Sequence, residues 1–211
     1  AESDIDPAVL SATWPPEWGE ISPTAYSSRG MGLIRRFILP GRPMYTEPLS
    51  PAQVNDRITN LYLPYHRALS DRLDTLRSKY GTVWHINCHS MKSIGNAMNI
   101  DSGTRRADMV VGDRDGTSCA AEFTDLVVNG LKAFGYDVAL NAPYKGGDIV
   151  RRYGNPVRQQ HSIQIEINRA LYMDEAKFEK STGFSTLQKN LGSLSGLLAG
   201  YIKESLSTSQ A

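Results

Sequence analysis

The sequence predicts an α/β fold in which helices cover both faces of one sheet. Short apolar strands alternate along the chain with helical segments of about 15 to 30 residues, the order typical of α/β proteins. Connections of that length favour mostly parallel pairing of the strands. Because 211 residues are enough for one buried core, we expect a single α/β domain over residues 1–211, with an irregular, proline-rich lead-in over residues 1–49.

The composition argues against several kinds of partner. A hydrophobic fraction of 40% and a charged fraction of 21% are ordinary for a soluble globular protein. A net charge of +1 gives no electrostatic reason to bind nucleic acid or an anionic membrane, and no apolar run approaches the roughly 20 residues that span a bilayer. Cys88 and Cys119 both lie in apolar surroundings, which predicts buried free thiols. With an acidic N-terminus unlike a signal peptide, this favours a cytoplasmic location.

A long helix is predicted from Ser50 onward. Ser50 and Gln53 form a capping-box pair, and Pro51 takes the first helical position. Apolar residues then recur at helical spacing as one stripe, formed by Val54, Ile58, Leu61, Tyr65, Leu69, Leu73, Leu76 and Tyr80. Since Pro64 falls inside this stripe, we expect a kink at residues 60–64.

The remaining segments continue the alternation of strands and helices. Apolar β-branched runs predict strands, and amphipathic runs predict helices. In chain order these are a strand at 83–89, a polar loop at 92–104, a strand at 108–113, a helix at 118–134, a strand at 138–140, a turn at 141–147, a strand at 162–167 and a helix at 185–206.

Two histidines lie near the end of the strand at 83–89. His85, Asn87 and His89 alternate with apolar neighbours and therefore share one face of the strand. Open α/β sheets place their sites at the carboxyl edge of the strands, and imidazole is the commonest protein metal ligand. His89 is therefore a candidate metal ligand. The alternative, a satisfied core or rim histidine, stays open and is favoured for His85.

A second polar cluster lies in the strand at 162–167. Ile165 and Ile167 point to one side, while Glu166 points to the other with polar neighbours. A carboxylate in mid-strand is costly to bury unless it is paired or takes part in chemistry. Glu166 is therefore either a general base or the partner of Arg169 or Arg151 in an ion pair.

Six motifs in order resemble the N-formylglutamate amidohydrolase family over about residues 30–175. They are Gly32-Leu33-Ile34 with Arg36, Pro43-Met44-Tyr45, Pro64-Tyr65-His66-Arg67-Ala68-Leu69, Asn87-Cys88-His89-Ser90-Met91, Asn141-Ala142-Pro143-Tyr144-Lys145-Gly146-Gly147, and Gln164-Ile165-Glu166-Ile167-Asn168-Arg169 with Leu171-Tyr172-Met173. The resemblance implies a three-layer αβα sandwich with a mostly parallel mixed sheet, akin to the zinc-carboxypeptidase and phosphorylase/hydrolase-like group. It also implies hydrolysis of an N-acyl amide on glutamate or a similar small acidic amino acid, with His89 in a metal-binding position and Glu166 as the catalytic carboxylate.

The implied cofactor is a divalent metal, with zinc expected, and the implied partner is a small acidic N-acyl amino acid. A substrate with carboxylates needs cationic partners, which arginine supplies better than lysine. The candidate substrate-binding residues are Arg36, His66, Ser90, Asn141, Lys145, Gly146 and Arg169. For Arg36 a solvated surface charge is the alternative, and for His66 a packing role.

Two departures from the family pattern bear on the metal. Family members usually open with a strand that carries a His-Ser-Gly motif and a following acidic residue, and this motif does not occur in the chain; Asn87 also replaces a common aspartate. We therefore expect an incomplete site with weak or absent metal binding, in a truncated form or a divergent homologue. The open alternatives for function are an amidase on a larger amide, such as a peptide or peptidoglycan stem, and a non-enzymatic homologue. The oligomeric state stays open.

Overall fold

The structure, a computed structural model, describes residues 3–208 of the chain. The chain divides into two compact units, Ala1–Asp71 and Arg72–Ala211. The expectation of one domain over the whole chain stays a prediction.

The first unit contains short elements around its own core. After the 3₁₀ turns Pro7–Val9 and Pro16–Trp18 come helix α1, Ala25–Ser28, and a hairpin of β1, Phe37–Leu39, with β2, Arg42–Pro43. Its buried core consists of Ile5, Val9, Ile34, Leu49, Val54 and Ile58. The segment expected to be an irregular lead-in is therefore packed. Its prolines divide it into pieces too short to show a hydrophobic period.

The long helix begins as predicted. Helix α2, Pro51–Arg57, is capped by Ser50, whose backbone N–H donates to Gln53 Oε1 at 2.8 Å while its Oγ accepts from the Gln53 N–H at 3.2 Å. A π-helical turn, Ile58–Tyr62, follows, and helix α3 then spans Leu63–Tyr80. The irregularity expected at residues 60–64 is confirmed in position. The wide turn lies where Pro64 lacks an N–H for the α-helical ladder.

The predicted apolar stripe is interrupted in and directly after this turn. Leu61 and Tyr65 are 69% and 52% exposed, whereas His66 is buried. A π-helical turn contains one residue more than an α-turn, so it changes which side chains within it and directly after it face the core. Leu73 is again buried.

A four-stranded sheet forms the centre of the second unit. Its strands are β3, Val83–Met91, β4, Met109–Gly112, β5, Val138–Leu140, and β6, Gln160–Asn168. They lie in the order β3-β6-β4-β5. β3 pairs with β6 and β4 with β5 in parallel, while β4 and β6 are antiparallel. The predicted mixed, mostly parallel sheet is confirmed.

Two helices cover one face of this sheet. Helix α4, Ala121–Ala133, and helix α6, Phe184–Thr208, form a core with the strands. The buried residues of that core are Met109, Val111, Cys119, Phe123, Val127, Leu131, Ile163, Ile165, Leu187, Leu194 and Leu198. The unit also contains helix α5, Asp148–Tyr153, and a hairpin of β7, Met173–Asp174, with β8, Glu179–Lys180, neither of which the sequence patterns predicted.

The two cysteines differ in environment. Cys119 is buried in the core, and burial raises the pKa of its thiol to about 12. Cys88 is exposed, so the prediction of a buried thiol is wrong there. The reason is its position in β3, which is an outer strand of the four-stranded sheet. Within residues 3–208 the structure contains no helix long and apolar enough to cross a membrane.

Candidate active site

The sheet face opposite α4 and α6 is polar where β3 and β6 pair. Their register places three pairs of polar residues side by side: His85 with Ser162, Asn87 with Gln164, and His89 with Glu166. Residues paired across neighbouring strands point to the same face of a sheet, and the alternate residues of β6 enter the core. The strands therefore bring the two predicted polar clusters together.

His89 and Glu166 are direct neighbours near the carboxyl ends of β3 and β6. They therefore lie at one edge and on one face of the sheet. Glu166 is 8% exposed, whereas His89 is exposed. A buried carboxylate beside an accessible imidazole is an arrangement suited to proton transfer at a solvent-accessible edge. The catalytic and metal-binding roles of the two residues stay predictions.

Burial and nearby charges have opposite effects on the pKa of Glu166. Burial raises the pKa of its carboxyl, and the charges of His89, Arg106 and Arg169 act in the opposite direction. Gln164 Nε2 donates to Glu166 Oε1 at 3.0 Å. Of the two ion-pair partners considered from sequence, Arg151 instead binds Asp148 at 2.5 Å.

Gln164 connects Glu166 to the 141–147 loop, which follows β5. The Gly147 N–H donates to Gln164 Oε1 at 3.1 Å, which fixes the amide so that its nitrogen faces Glu166. The loop also lies directly on β4, because a Cβ on Gly112 would come within 2.6 Å of the Gly146 nitrogen. Gly146 has a φ of 98°, which favours glycine. Strand β4 and this loop thus support the general-base candidate from one side.

Two further residues of the loop are held by the turn after β4. The side chain of Asn141 donates to Asp113 Oδ1 at 2.8 Å and accepts from the Asp113 N–H at 3.0 Å. Lys145 Nζ pairs with Asp115 at 2.7 Å, with both side chains more than half exposed. Asn141 therefore has a clear role in loop geometry, and the substrate contacts expected of both residues stay predictions.

Ser90 and Arg169 lie together at the carboxyl ends of β3 and β6. Arg169 donates from Nε to Ser90 Oγ at 3.2 Å and from Nη2 to the Ser90 carbonyl at 3.4 Å. Its charge also acts on Glu166. Of the candidate substrate cations, Arg169 is the one that the second unit places beside the general-base candidate.

The other two candidates belong to the first unit. Arg36 is not a solvated surface charge, because Nη1 lies 3.1 Å from Asp6 Oδ2 and the guanidinium lies 4.5 Å from the centre of the Phe37 ring. His66 is buried, with its ring centre 4.2 Å from that of Tyr62. These contacts give both residues structural roles, and their predicted part in substrate binding stays a prediction.

His85 has a structural partner. Its Nδ1 lies 2.9 Å from Ser162 Oγ, and burial lowers the pKa of its imidazole, which favours the neutral ring. This environment fits the satisfied histidine favoured for His85 from sequence.

The site residues predicted from the sequence do not include Gln164, Arg106 and Tyr144. The signal for Gln164 was present, since it shares the strand face of Glu166. Arg106 precedes β4 in a loop without periodicity, so only the structure shows that its charge reaches Glu166.

The described side chains do not fit a complete zinc site. Catalytic zinc usually has three protein ligands and one open position. Within residues 3–208, no group of three or more His, Cys, Asp or Glu side chains is placed to hold a metal ion. His89 and Glu166 are two neighbouring donors, one fewer than that set.

A family model described as N-formylglutamate amidohydrolase matches residues 2–173. The chain belongs to this family. The resemblance carried by the six sequence motifs is thereby confirmed. Two similar relatives are N-formylglutamate deformylases, from Pseudomonas aeruginosa, 33% identical over 153 residues, and from Pseudomonas putida, 29% identical over 155 residues. These matches cover 71% and 72% of this chain but only 56% and 57% of the relatives, so the chain spans little more than half their length.

A solved structure supports the same relationship. The N-formylglutamate amidohydrolase from Ralstonia eutropha JMP134 is 40% identical and has a TM-score of 0.87. The match covers 96% of this chain and 72% of that one. A gene product of Agrobacterium tumefaciens, 20% identical with a TM-score of 0.55, shares the fold alone.

Proposed function

We propose that the chain carries the general base of an amidohydrolase that cleaves N-formylglutamate into formate and glutamate. The observation that carries this proposal is the buried carboxylate of Glu166 beside His89, at the carboxyl edge of a sheet in a member of this family. The names of the two Pseudomonas relatives and of the Ralstonia enzyme support the substrate.

Glu166 is the residue to which we assign proton transfer. Its Oε1 accepts from Gln164, so Oε2 is the oxygen assigned to the attacking water. It takes the water proton as the water adds to the formyl carbon, and it returns that proton to the glutamate nitrogen as the amide bond breaks. A pKa raised by burial suits both steps, since the carboxylate then accepts a proton more readily than an exposed one.

Arg169 is the cation to which we assign a substrate carboxylate. It is held by Ser90 near Glu166, and a guanidinium binds a carboxylate with two parallel hydrogen bonds. Asn141, Lys145 and Gly146 remain proposed members of the same binding set. Because N-formylglutamate carries two carboxylates, we assign the second carboxylate to Lys145.

The divalent metal expected from the resemblance is part of the proposal only as a requirement still to be tested. Since the described donors stop at His89 and Glu166, the roles of Glu166 and Arg169 are assigned without it. The three-layer arrangement of the zinc-carboxypeptidase type and the cytoplasmic location also stay proposals. Helices α4 and α6 on one sheet face support the first of these.

Formate release from N-formylglutamate, measured by a coupled formate dehydrogenase assay with and without added Zn²⁺, tests the function. We expect turnover that requires the N-formyl group and falls when the substrate is N-formylglycine, which lacks the side-chain carboxylate. Release of amino groups from peptidoglycan stem peptides without formate release would favour the amidase on a larger amide. Binding of N-formylglutamate without turnover in either condition would favour the non-enzymatic homologue.

A further inference from the structure

Arg106 is a buried arginine whose guanidinium is fixed on three sides. Nε and Nη2 donate to the two carboxylate oxygens of Asp101 at 2.6 and 2.8 Å, and Nη1 donates to the Lys92 carbonyl at 3.1 Å. Its side chain is 2% exposed. A fork-to-fork pair of this kind fixes the plane of the guanidinium as well as its position.

The 92–108 loop around this pair is itself anchored to the sheet and the β7–β8 hairpin. Asn168, the last residue of β6, donates from Nδ2 to the Arg106 carbonyl at 3.3 Å. Glu175 accepts from the Ser93 N–H at 3.1 and 3.2 Å and from the Ser93 hydroxyl. Arg106 is therefore held from outside its own loop, at the carboxyl edge where Glu166 lies.

The face of this anchored guanidinium lies over an aromatic ring of the 141–147 loop. The Arg106 guanidinium lies 5.0 Å from the centre of the Tyr144 ring, a cation–π distance. Tyr144 belongs to the 141–147 loop, whose Gly147 orients Gln164 beside Glu166. Asn168, which donates to the Arg106 and Ala107 carbonyls, follows Glu166 by two residues on β6, so Arg106 lies at the end of the strand that carries Glu166.

We propose that Arg106 is a positioning residue that holds the Tyr144 ring beside Glu166, and that this ring determines the preference for a formyl over a larger acyl group. The inference rests on the proposed amidohydrolase function and extends it to acyl-group selection. The scissile carbonyl must approach Glu166 to within about one water molecule. A fixed ring at that place leaves room for the hydrogen of a formyl group and excludes the methyl group of an acetyl.

The ratio of kcat/KM for N-formylglutamate to that for N-acetylglutamate measures this selection. Tyr144→Ala should lower the ratio by at least about tenfold, the lower end of what one methyl group contributes in a shaped pocket. Arg106→Gln should lower it in the same direction, and Tyr144→Phe should retain it because the ring remains. A loss of folded protein reduces both rates equally, so it leaves the ratio unchanged.

The matched control is Arg105→Gln, since Arg105 is the preceding residue and its side chain is exposed. Should Arg106→Gln fail to fold, Arg106→Lys serves as the second variant. Lysine keeps the charge but neither the fork nor the planar contact, so the ratio should still fall. An unchanged ratio in folded Arg106 and Tyr144→Ala variants overturns the proposal.

A measurement without substrate separates this proposal from the proposed function. The chain contains 10 tyrosines, and the ¹⁹F resonance of fluorotyrosine-labelled protein that disappears in Tyr144→Phe identifies Tyr144. That resonance should shift in Arg106→Gln and stay in place in Arg105→Gln. If wild-type protein hydrolyses neither substrate, the proposed function fails, while an unshifted Tyr144 resonance shows that Arg106 does not hold the ring.

Discussion

Glu166→Gln is the substitution that tests the proposed general base most directly. The amide has the shape of the carboxyl group and can still accept from Gln164, but it cannot take a proton from water. We expect turnover of N-formylglutamate to fall at least about 10²-fold, the lower end of what general acid–base catalysis contributes. Steady-state formate release checks this, with thermal unfolding recorded on the same samples.

Glu179→Gln is the matched control for that substitution. Glu179 is exposed in the β7–β8 hairpin, so the same change of chemistry there should leave turnover as it is. Normal turnover in folded Glu166→Gln protein would show that Glu166 is a structural residue and would remove the basis of the proposed mechanism.

Single residues of the site could be predicted from the sequence where they interrupt the alternating pattern of an apolar strand. His89 and Glu166 stand out because a polar residue in an apolar strand requires a reason, and strand ends converge at one edge of a sheet. Arg106 could not be found in this way. Its position depends on Asp101, Asn168 and the ring of Tyr144, and no local pattern in the sequence shows those contacts.

At the scale of elements, Gly112→Ala tests how strand β4 supports the 141–147 loop. The new Cβ would lie 2.6 Å from the Gly146 nitrogen and 2.7 Å from the Lys145 carbonyl carbon, so backbone has to move. We expect a loss of about 1–3 kcal/mol in the free energy of unfolding, as in overpacked sites, together with reduced turnover. Urea unfolding monitored by circular dichroism measures the first effect.

Gly196→Ala in α6 is the opposite case and serves as the control. A Cβ at that position meets no atom within 4 Å, and alanine is the better helix former. Its free energy of unfolding should rise by about 0.5–1 kcal/mol. Equal effects of the two substitutions would contradict the close approach of the 141–147 loop to β4.

The long elements could be predicted from hydrophobic period, and the short ones could not. Strand β6 and helices α4 and α6 contain enough alternating or helical positions to show their type. The six-residue helix α5 and the two-residue strands of the β7–β8 hairpin are too short for that. The antiparallel pairing of β4 with β6 was also inaccessible, since connection length favours a direction without fixing which strands become neighbours.

At the scale of the whole molecule, the Asp101–Arg106 pair links stability to acid pH. The Arg106 guanidinium lowers the pKa of the Asp101 carboxyl below its ordinary value. A carboxyl group whose pKa is lower in the folded state stabilises the fold at pH values above its unfolded-state pKa. This stabilisation is lost as the pH falls through the folded-state pKa. The free energy of unfolding of the wild-type protein should therefore be about 1.5–3 kcal/mol higher than that of Asp101→Asn at pH 7. This difference should shrink below about pH 4.

Urea unfolding of both proteins between pH 7 and pH 3 measures that difference. Asp115→Asn is the control, because Asp115 pairs with Lys145 at an exposed position where an ion pair contributes little. A difference between wild type and Asp101→Asn that stays constant down to pH 3 would show that the carboxylate charge of Asp101 does not stabilise the fold.

For the zinc affinity of the whole chain, the family resemblance and the described donors lead to opposite expectations. The family resemblance implies a metal at His89, but His89 has only the neighbouring Glu166 as a second donor within residues 3–208. Two ligands are fewer than the three of a catalytic zinc site, so we expect a Kd for Zn²⁺ weaker than about 1 μM. Isothermal titration of the purified chain measures it, with His85→Ala as the control because His85 is engaged with Ser162. Tight, one-to-one binding that is lost in His89→Ala and kept in His85→Ala would overturn this prediction and make His89 a metal ligand.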